Sequence, residues 1–175
     1  PTGTSPTDAE SSETVDLPKA APKPDAAECI AGLEEAGAKL KKDGDGLVIE
    51  ADFRGLTIGD SALEYLIGLR RVRSILLNET GVTDAGMETV GKVTTLQNVD
   101  LRDCTISNAG LEPLAELSQL KALRLSGKSG ATSVDDDGLV HVAKMKNLKA
   151  LMLDFLWISE VGLEQLTGLD KLEEL

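Results

Sequence analysis

Hydrophobic residues recur along this chain with a fixed period. Each unit opens with apolar residues at its first, fourth and sixth positions, as in Leu96, Val99 and Leu101. Five units share this plan, and they begin at Val48, Val72, Leu96, Leu120 and Leu148. The first three intervals are 24 residues long and the fourth is 28. Because alternate side chains of a strand point to opposite faces, the end of each opening predicts a short strand with one buried face.

The second half of each unit has a different spacing. Three apolar residues follow at helical intervals, as in Leu111, Leu114 and Leu117, so each unit is predicted to be a strand, a turn and a helix. A partial sixth unit begins at Leu172. A leucine-dominated period of about 20–29 residues is typical of a leucine-rich repeat solenoid. We therefore predict an α/β fold, a right-handed superhelix with a parallel inner sheet and short outer helices.

The turn between strand and helix has a signature of its own. Its first position holds residues that favour helix N-caps: Gly59, Thr83, Ser107, Asp135 and Ser159. The next position is mostly acidic, which suits the dipole of a helix N-terminus; it holds Asp60, Asp84, Asn108, Asp136 and Glu160. Two positions later the residues are small: Ala62, Gly86, Gly110, Gly138 and Gly162. The small residues predict that each helix start lies close against the neighbouring coil.

The segments VTDAGM (82–87) and ISNAGL (106–111) resemble the I-T-D-x-G-L branch of leucine-rich repeat proteins. This branch includes the cysteine-containing repeats of F-box-type substrate receptors and many bacterial secreted or lipid-anchored repeat proteins. The entry helix and the segment DGDGLVIEADF (43–53) make the chain more similar to the bacterial group. The resemblance covers about residues 26–175 and implies a scaffold that binds other proteins.

These patterns divide the chain into three regions. Residues 1–25 are rich in Pro, Ser, Thr and Asp, which predicts a disordered acidic tether. Residues 26–46 predict an N-terminal capping helix and a turn, with apolar positions at helical spacing as far as Leu40. Asp25 is a candidate N-cap of this helix and Gly44 a candidate stop. Residues 47–175 hold the repeats, and the helix would cover the apolar end of the first coil.

Composition and charge limit the partners. Apolar residues make up 41 % of the 175 residues but aromatic residues only 2 %, so the core must consist of Leu, Val, Ile and Ala. The formal net charge of −12 disfavours nucleic acid and anionic membranes, because both need a basic surface. No apolar run is long enough to span a membrane. The two cysteines, Cys29 and Cys104, make neither a disulfide framework nor a metal cluster.

No residue pattern predicts catalysis, a cofactor or a metal site. Asp135, Asp136 and Asp137 fit the cap, first-turn and exposed positions of a repeat, whereas an EF-hand needs ligands spread over about 12 residues. The segment ALRLSGKS (122–129) approaches a phosphate-binding loop, but its alternating leucines predict a strand, and no helix begins at the lysine. His141 is predicted to be a surface residue of a helix and Cys104 a small buried filler. We expect no enzyme.

The inner face of the predicted sheet is the candidate binding surface. Stacking the strands places one outward residue of each in a central column of mixed charge: Asp52, Leu76, Asp100, Arg124 and Met152. Curved repeat sheets commonly bind partners along this face, although any one residue could equally be a solvated sheet residue. The candidate partner-binding residues are Asp52, Arg54, Asn78, Asp100, Arg102, Arg124, Met152, Asp154, Phe155 and Trp157.

Two aromatic residues break the repeat pattern beside an insertion. The fourth unit carries four extra residues within the loop SGKSGATS (126–133). In the fifth unit, Phe155 and Trp157 stand where other units have Gly, Glu, Asp or Thr. One interpretation is that the two rings pack under the inserted loop. The other is that they belong to a binding patch, because exposed aromatic residues anchor interfaces.

The C-terminal coil is predicted to lack a cover. The segment KLEEL (171–175) only begins another coil, and nothing follows to cover the apolar residues of the fifth unit. An open strand edge and an apolar face invite pairing. We therefore expect that the natural chain continues or that two copies associate end to end.

These observations predict a non-catalytic scaffold that binds a protein through the concave sheet face and its adjoining loops. The alternatives are a structural, envelope-associated repeat domain without a discrete partner and a regulatory domain of a larger enzyme. The chain starts at Pro1 without an initiator methionine, so we expect a processed form. The resemblance favours a periplasmic or cell-surface location over the cytoplasm, with the tether as a spacer to a membrane anchor.

Overall fold

Five coils stack along one continuous sheet. The structure is a computed structural model that describes residues 25–175, so the tether proposed for residues 1–25 lies outside it except for Asp25. Six strands follow chain order: β1 (Lys39–Lys42), β2 (Val48–Asp52), β3 (Ser74–Leu76), β4 (Asn98–Asp100), β5 (Ala122–Ser126) and β6 (Ala150–Asp154). β1 pairs antiparallel with β2, and every later pair is parallel. The predicted parallel sheet is therefore confirmed.

Each coil returns through a short helical segment, as the sequence predicts. The α-helices are α1 (Ala27–Glu35), α2 (Asp84–Val90), α3 (Asn108–Leu111), α4 (Asp136–Val142) and α5 (Glu160–Glu164). Three segments are 3₁₀ helices, which the sequence did not predict: Asp60–Gly68, Pro113–Glu116 and Gln165–Gly168. The second of these begins at a proline, whose missing N–H and fixed φ angle end the α-helical hydrogen bonding of α3.

The core is one cluster that runs the length of the solenoid from Leu33 of α1 to Leu169. In the third coil Leu96, Val99 and Leu101 from the strand side and Leu111 from the helix side have no exposed surface. Burying such a side chain contributes about 1.5–3 kcal/mol. A single coil is too thin to bury these side chains, so contacts with the coils on either side bury them.

The N-terminal end differs from the prediction. Helix α1 ends at Glu35, not at Leu40, because Gly37 adopts a left-handed conformation with φ 89° and turns the chain back. The following residues form β1 on the free edge of β2. Asp25 does not cap α1; its carboxylate accepts the N–H groups of Val48 and Arg70, both at 2.7 Å. Asp25 therefore ties the start of the chain to the first coil.

The predicted helix caps are confirmed. The side chains of Thr83, Ser107, Asp135 and Ser159 each accept the backbone N–H two residues further on, at 3.0–3.3 Å. Gly59 precedes the first helical segment without a side-chain bond. The turns between strand and helix thus have the same local geometry in successive coils even though their residues differ.

The acidic position after each cap has a role that the sequence interpretation missed. Its side chain reaches the cap of the next coil: Asp84 accepts the Ser107 N–H at 2.8 Å and the Ser107 hydroxyl at 2.5 Å. We call the set of such pairs the cap ladder; it comprises Asp60–Thr83, Asp84–Ser107, Asn108–Asp135 and Asp136–Ser159. The ladder binds neighbouring coils directly, in addition to any interaction with helix dipoles.

One pair of the cap ladder reverses its chemistry. Where the cap is Asp135 instead of a hydroxyl, the preceding ladder residue is Asn108. Its amide nitrogen donates to the Asp135 carboxylate at 2.7 Å, and its amide oxygen accepts the Asp135 N–H at 3.0 Å. An aspartate at 108 would place two carboxylates together, so the amide is the residue that keeps every group paired.

The small residues in the first helical turn make room for the cap ladder. A Cβ on Gly110 would collide with the carboxylate of Asp84, and one on Gly138 would collide with the amide of Asn108. Gly86 and Gly162 are related in the same way to Asp60 and Asp136. The prediction of close approach at these positions is confirmed, and the approaching group is the ladder side chain.

Candidate functional site

The strand register builds the concave face as three columns. The central column holds Asp52, Leu76, Asp100, Arg124 and Met152, as predicted, because these residues are register partners across five strands. A second column on the N-terminal side holds Glu50, Ser74, Asn98, Ala122 and Ala150. A third, at the C-terminal ends of the strands, holds Arg54, Asn78, Arg102, Ser126 and Asp154. Eight of the ten candidate residues thus share this face.

Two bidentate ion pairs hold the two aspartates of the central column. Arg54 donates from Nε and Nη2 to the Asp52 carboxylate at 2.9 and 2.7 Å. Arg102 binds Asp100 with the same two distances. The hydrogen bond from Arg54 lowers the pKa of Asp52, and the bond to Asp100 raises the pKa of Arg102. In each pair the two residues are separated by one position in sequence, and the two hydrogen bonds hold the opposite charges together. A partner would therefore meet a neutralised ion pair and not a free charge.

Arg124 is held differently, by a neutral network. Its Nη1 donates to Asn98 Oδ1 at 2.5 Å, and Asn98 Nδ2 donates to Ser74 Oγ at 2.8 Å. Within residues 25–175, Arg124 forms no ion pair with a carboxylate. Beside it in the central column, Met152 is 38 % exposed. This part of the face therefore offers one positive charge next to a flexible apolar side chain.

Asn78 lies between the two ion-paired arginines in the third column. Its Oδ1 is buried, and it has no hydrogen-bond partner among the described residues. The side chain lines an open cavity of about 420 Å³ together with Lys39, Arg54 and Glu79. An unpaired buried acceptor costs free energy, so the Asn78 amide is held here at some cost to the fold.

Phe155 and Trp157 stand beyond the third column, on the loop that follows β6. They are 71 % and 91 % exposed, so the interpretation that they pack under the inserted loop is wrong. A Cβ on Gly127 would collide with the carbonyl oxygen of Phe155, so the inserted loop touches the main chain there. The side chains alternate: Leu156 and Ile158 pack against the core while the two aromatic rings point outward.

The other residues considered for chemistry are accounted for by packing. Cys104 is fully buried and donates to the Leu77 carbonyl at 3.0 Å, and burial raises the pKa of its thiol, which makes it a poor nucleophile. His141 lies on the helix surface but is only partly exposed, and its buried Nδ1 has no partner within residues 25–175. In that same range, no three His, Cys, Asp or Glu side chains are placed to hold a metal ion.

Sequence reasoning missed the residues that position the candidate site. The cap ladder and the Ser74–Asn98–Arg124 network both join residues about one repeat apart. The available signal was complementarity across the period: an acid precedes a hydroxyl cap in the next unit, whereas an amide precedes an acidic one. The pairs are not visible when each repeat position is compared only with the same position of the other units, because each pair joins two different positions of neighbouring units.

Comparison of the sequence with protein-family models and with curated proteins gave no match. Among solved structures, the ectodomain of the Arabidopsis receptor kinase HAESA, in complex with a peptide hormone, is 16 % identical with a TM-score of 0.50. This chain has the fold of a leucine-rich repeat solenoid. The match covers 78 % of this chain and 27 % of the ectodomain, so the chain spans about a quarter of that protein.

Bacterial proteins are also similar to this solenoid. Internalin C2 of Listeria monocytogenes is 16 % identical, and the match covers 86 % of this chain and 82 % of the internalin, with a TM-score of 0.47. At this identity the likeness concerns the fold.

No helix within residues 25–175 has the length and apolar character needed to cross a membrane.

Proposed function

We propose that the solenoid is a non-catalytic scaffold that binds a protein through its concave face and the adjoining loops. The observation that carries this proposal is the central column, in which a charged or apolar residue from every coil occupies the same register position. Asp100 is only 3 % exposed and would act on a partner through Arg102, to which it is bound. The two ion pairs, the free Arg124 charge and the exposed Met152 make a surface of defined pattern. Such preorganised groups lower the entropic cost of association.

The likeness to the HAESA ectodomain is consistent with this proposal, because that protein was solved with a bound peptide. The residues proposed to contact the partner are those at the register positions of the concave face and the loop beyond it: Asp52, Arg54, Asn78, Asp100, Arg102, Arg124, Met152, Asp154, Phe155 and Trp157. Arg124 and Met152 are expected to matter most, because the internal ion pairs already satisfy Arg54 and Arg102.

A pair of cross-linking variants tests the proposal. A photo-reactive side chain at Leu76 would lie in the central column, and one at Val140, which is 47 % exposed, would lie on the outer helices. In the native cell, we expect Leu76 to yield a discrete cross-linked protein and Val140 to yield none. The same product from both positions, or none from Leu76, would contradict binding at the concave face.

Arg124→Glu is the functional variant that accompanies this test. We expect it to reduce the Leu76 cross-link, while the outer-face reversal Lys144→Glu leaves it unchanged. Equal thermal stability of both variants excludes unfolding as the cause. The structural envelope alternative instead predicts no discrete product from any position, and a regulatory domain predicts an enzyme partner in the same polypeptide or complex.

We also propose self-association through the C-terminal coil. Leu163 is 40 % exposed although its counterparts Met87, Leu111 and Leu139 have no exposed surface. The edge of β6 is partly used, since Glu174 bridges to Ala150. The prediction is a concentration-dependent increase in mass by sedimentation, abolished by Leu163→Glu; a constant monomer mass would contradict it. For location, we propose the periplasm or the cell surface, which fractionation of the native cell would test.

A further inference from the structure

We infer that Phe155 and Trp157, here called the aromatic rim, recognise a positively charged segment of the partner protein. This inference rests on the proposed scaffold function and specifies the chemistry of its partner. It starts from the exposure of the two rings, neither of which belongs to the core cluster. The surrounding fold explains why such a pair would be kept at this place.

The exposure of Trp157 does not depend on its position in the last coil. The equivalent residues of the other coils are Thr57, Gly81, Thr105 and Ser133, and all four are exposed. Three of those coils have a neighbour on both sides and still leave the position open. Stacking another coil on the fifth would therefore leave Trp157 accessible. An exposed tryptophan at a position where the fold accepts Thr, Ser or Gly is an added feature.

Phe155 stands at a position with an unfavourable backbone. Its φ is 55°, and the equivalent residues Gly55, Glu79 and Asp103 have φ values of 68°, 61° and 57°. Four of the five coils thus have a left-handed residue at this position, for which a bulky side chain is a poor choice. Backbone strain of this kind is concentrated at functional sites. The phenylalanine ring is thus displayed at some cost to the fold.

Three acidic residues adjoin the aromatic rim along the chain or across a backbone bridge. Asp154 precedes Phe155, Asp135 pairs through its backbone with Trp157, and Glu160 follows in the first turn of α5. All three are exposed, and within residues 25–175 none of them forms an ion pair, although the Asn108 amide donates to the Asp135 carboxylate. The nearby cations are Lys128 on the inserted loop and Arg102, which Asp100 already holds.

This combination fits arginine or lysine side chains on the partner. A cation stacks on the face of Trp or Phe within about 6 Å, and flanking carboxylates add charge-assisted hydrogen bonds. The net charge of −12 adds long-range attraction for a basic partner. An acidic or purely apolar segment would leave Asp154 and Glu160 without an opposite charge, so a basic segment is the occupant that the site favours.

The single tryptophan of the chain allows a direct test. The full chain is titrated with short capped peptides of alternating Arg and Ala, Lys and Ala, Glu and Ala, or Leu and Ser, and the emission of Trp157 is followed. We expect a saturable change with the Arg peptide, a weaker one with Lys, and loss of binding at high salt. No response to Arg, or an equal response to the Glu or Leu peptide, would overturn the inference.

Variants locate the binding. Phe155→Gly is expected to weaken the Arg peptide about fivefold, as loss of one cation–π contact does. Ile67→Ala, an exposed apolar residue of the first coil, is the matched control and should have no effect. Asp154→Asn should also weaken binding, whereas Glu64→Gln on the outer helix should not. Unchanged affinity in Phe155→Gly and Asp154→Asn together would place the peptide elsewhere and refute the assignment.

The two proposals fail in different ways. If Leu76 captures a partner but the Arg peptide leaves Trp157 unchanged, the scaffold stands and the basic partner is refuted. If the peptide binds at Trp157 but Leu76 captures nothing, the aromatic rim stands and binding at the concave face is refuted.

Discussion

The third and fifth coils follow the same plan but use it differently. In the third, Leu111 is completely buried between neighbours and Thr105 occupies the exposed loop position. In the fifth, the equivalent residues are Leu163, which is 40 % exposed, and Trp157, which is 91 % exposed. Equivalent positions of the two coils therefore hold a buried leucine and an exposed threonine in one, and a partly exposed leucine and an exposed tryptophan in the other. The comparison separates residues that hold the stack together from residues available to a partner.

The largest expected difference is between equivalent leucines. Leu111→Ala leaves a cavity between packed coils and should lower the free energy of unfolding by about 2–5 kcal/mol. Leu163→Ala should cost less than half as much, because part of the side chain is already in solvent. Urea denaturation of both variants measures the difference. Equal losses would mean that the two coils are packed alike, contrary to the structure.

A smaller effect is expected where the cap ladder passes under a helix. Gly110→Ala places a Cβ against the Asp84 carboxylate and should destabilise the fold by about 1–3 kcal/mol. Gly44→Ala is the control, since a Cβ there meets nothing within 4 Å. Thermal unfolding should show a lower midpoint only for the first variant. If Ala were tolerated at 110 as at 44, the ladder would not set the spacing between coils.

The exchanged pair of the ladder can be converted into an ordinary one. Asn108→Asp sets two carboxylates against each other and should cost about 1 kcal/mol or more. Adding Asp135→Ser produces the same pair as Asp84–Ser107 and should recover most of that loss. A double-mutant cycle measured by denaturation gives the coupling energy. Additive effects of the two substitutions would show that residues 108 and 135 act independently.

The display residue Phe155 should behave in the opposite way to the core. Phe155→Gly relieves the strain of a left-handed backbone, which stabilises the fold, but it also raises the entropy of the unfolded chain, which destabilises it. Because the first contribution is larger, we expect a net gain in stability of about 0.5–1 kcal/mol. Asp103→Gly, at the equivalent position of the third coil, should gain less, because aspartate tolerates this conformation. A loss of stability in Phe155→Gly, measured by thermal unfolding, would indicate that the ring packs on the protein.

The smallest effect concerns acid. Hydrogen bonds from Ser159 lower the pKa of Asp136 in the folded state. A lowered folded pKa stabilises the protein above the unfolded pKa, and this contribution is lost as pH falls through the folded value. Asp136→Asn should therefore flatten the decline in stability below about pH 4, measured as denaturation midpoints against pH. An unchanged slope would show that this pair contributes nothing to acid sensitivity.

The repeats were predictable because their signals are local and periodic. Each signal specifies one position of a coil, and the same signal recurs in the other coils. Examples are the leucine spacing, the caps at Thr83 and Ser107, and the glycine at 110. The N-terminal helix was predicted too long, because the apolar stripe as far as Leu40 also fits a strand on the edge of β2. Local periodicity could not reveal that this edge was available.

The order of residues within one unit is enough to specify the coil: where the strand lies, where the helix begins and which residues face the core. Which side chains of neighbouring coils meet depends on how the coils stack. Stacking joined Asp84 to Ser107 and Arg124 to Asn98, and it left Trp157 in solvent instead of under the inserted loop. The physical reason is that the propensities and caps act within one turn of chain, whereas burial and side-chain pairing depend on groups a full repeat away.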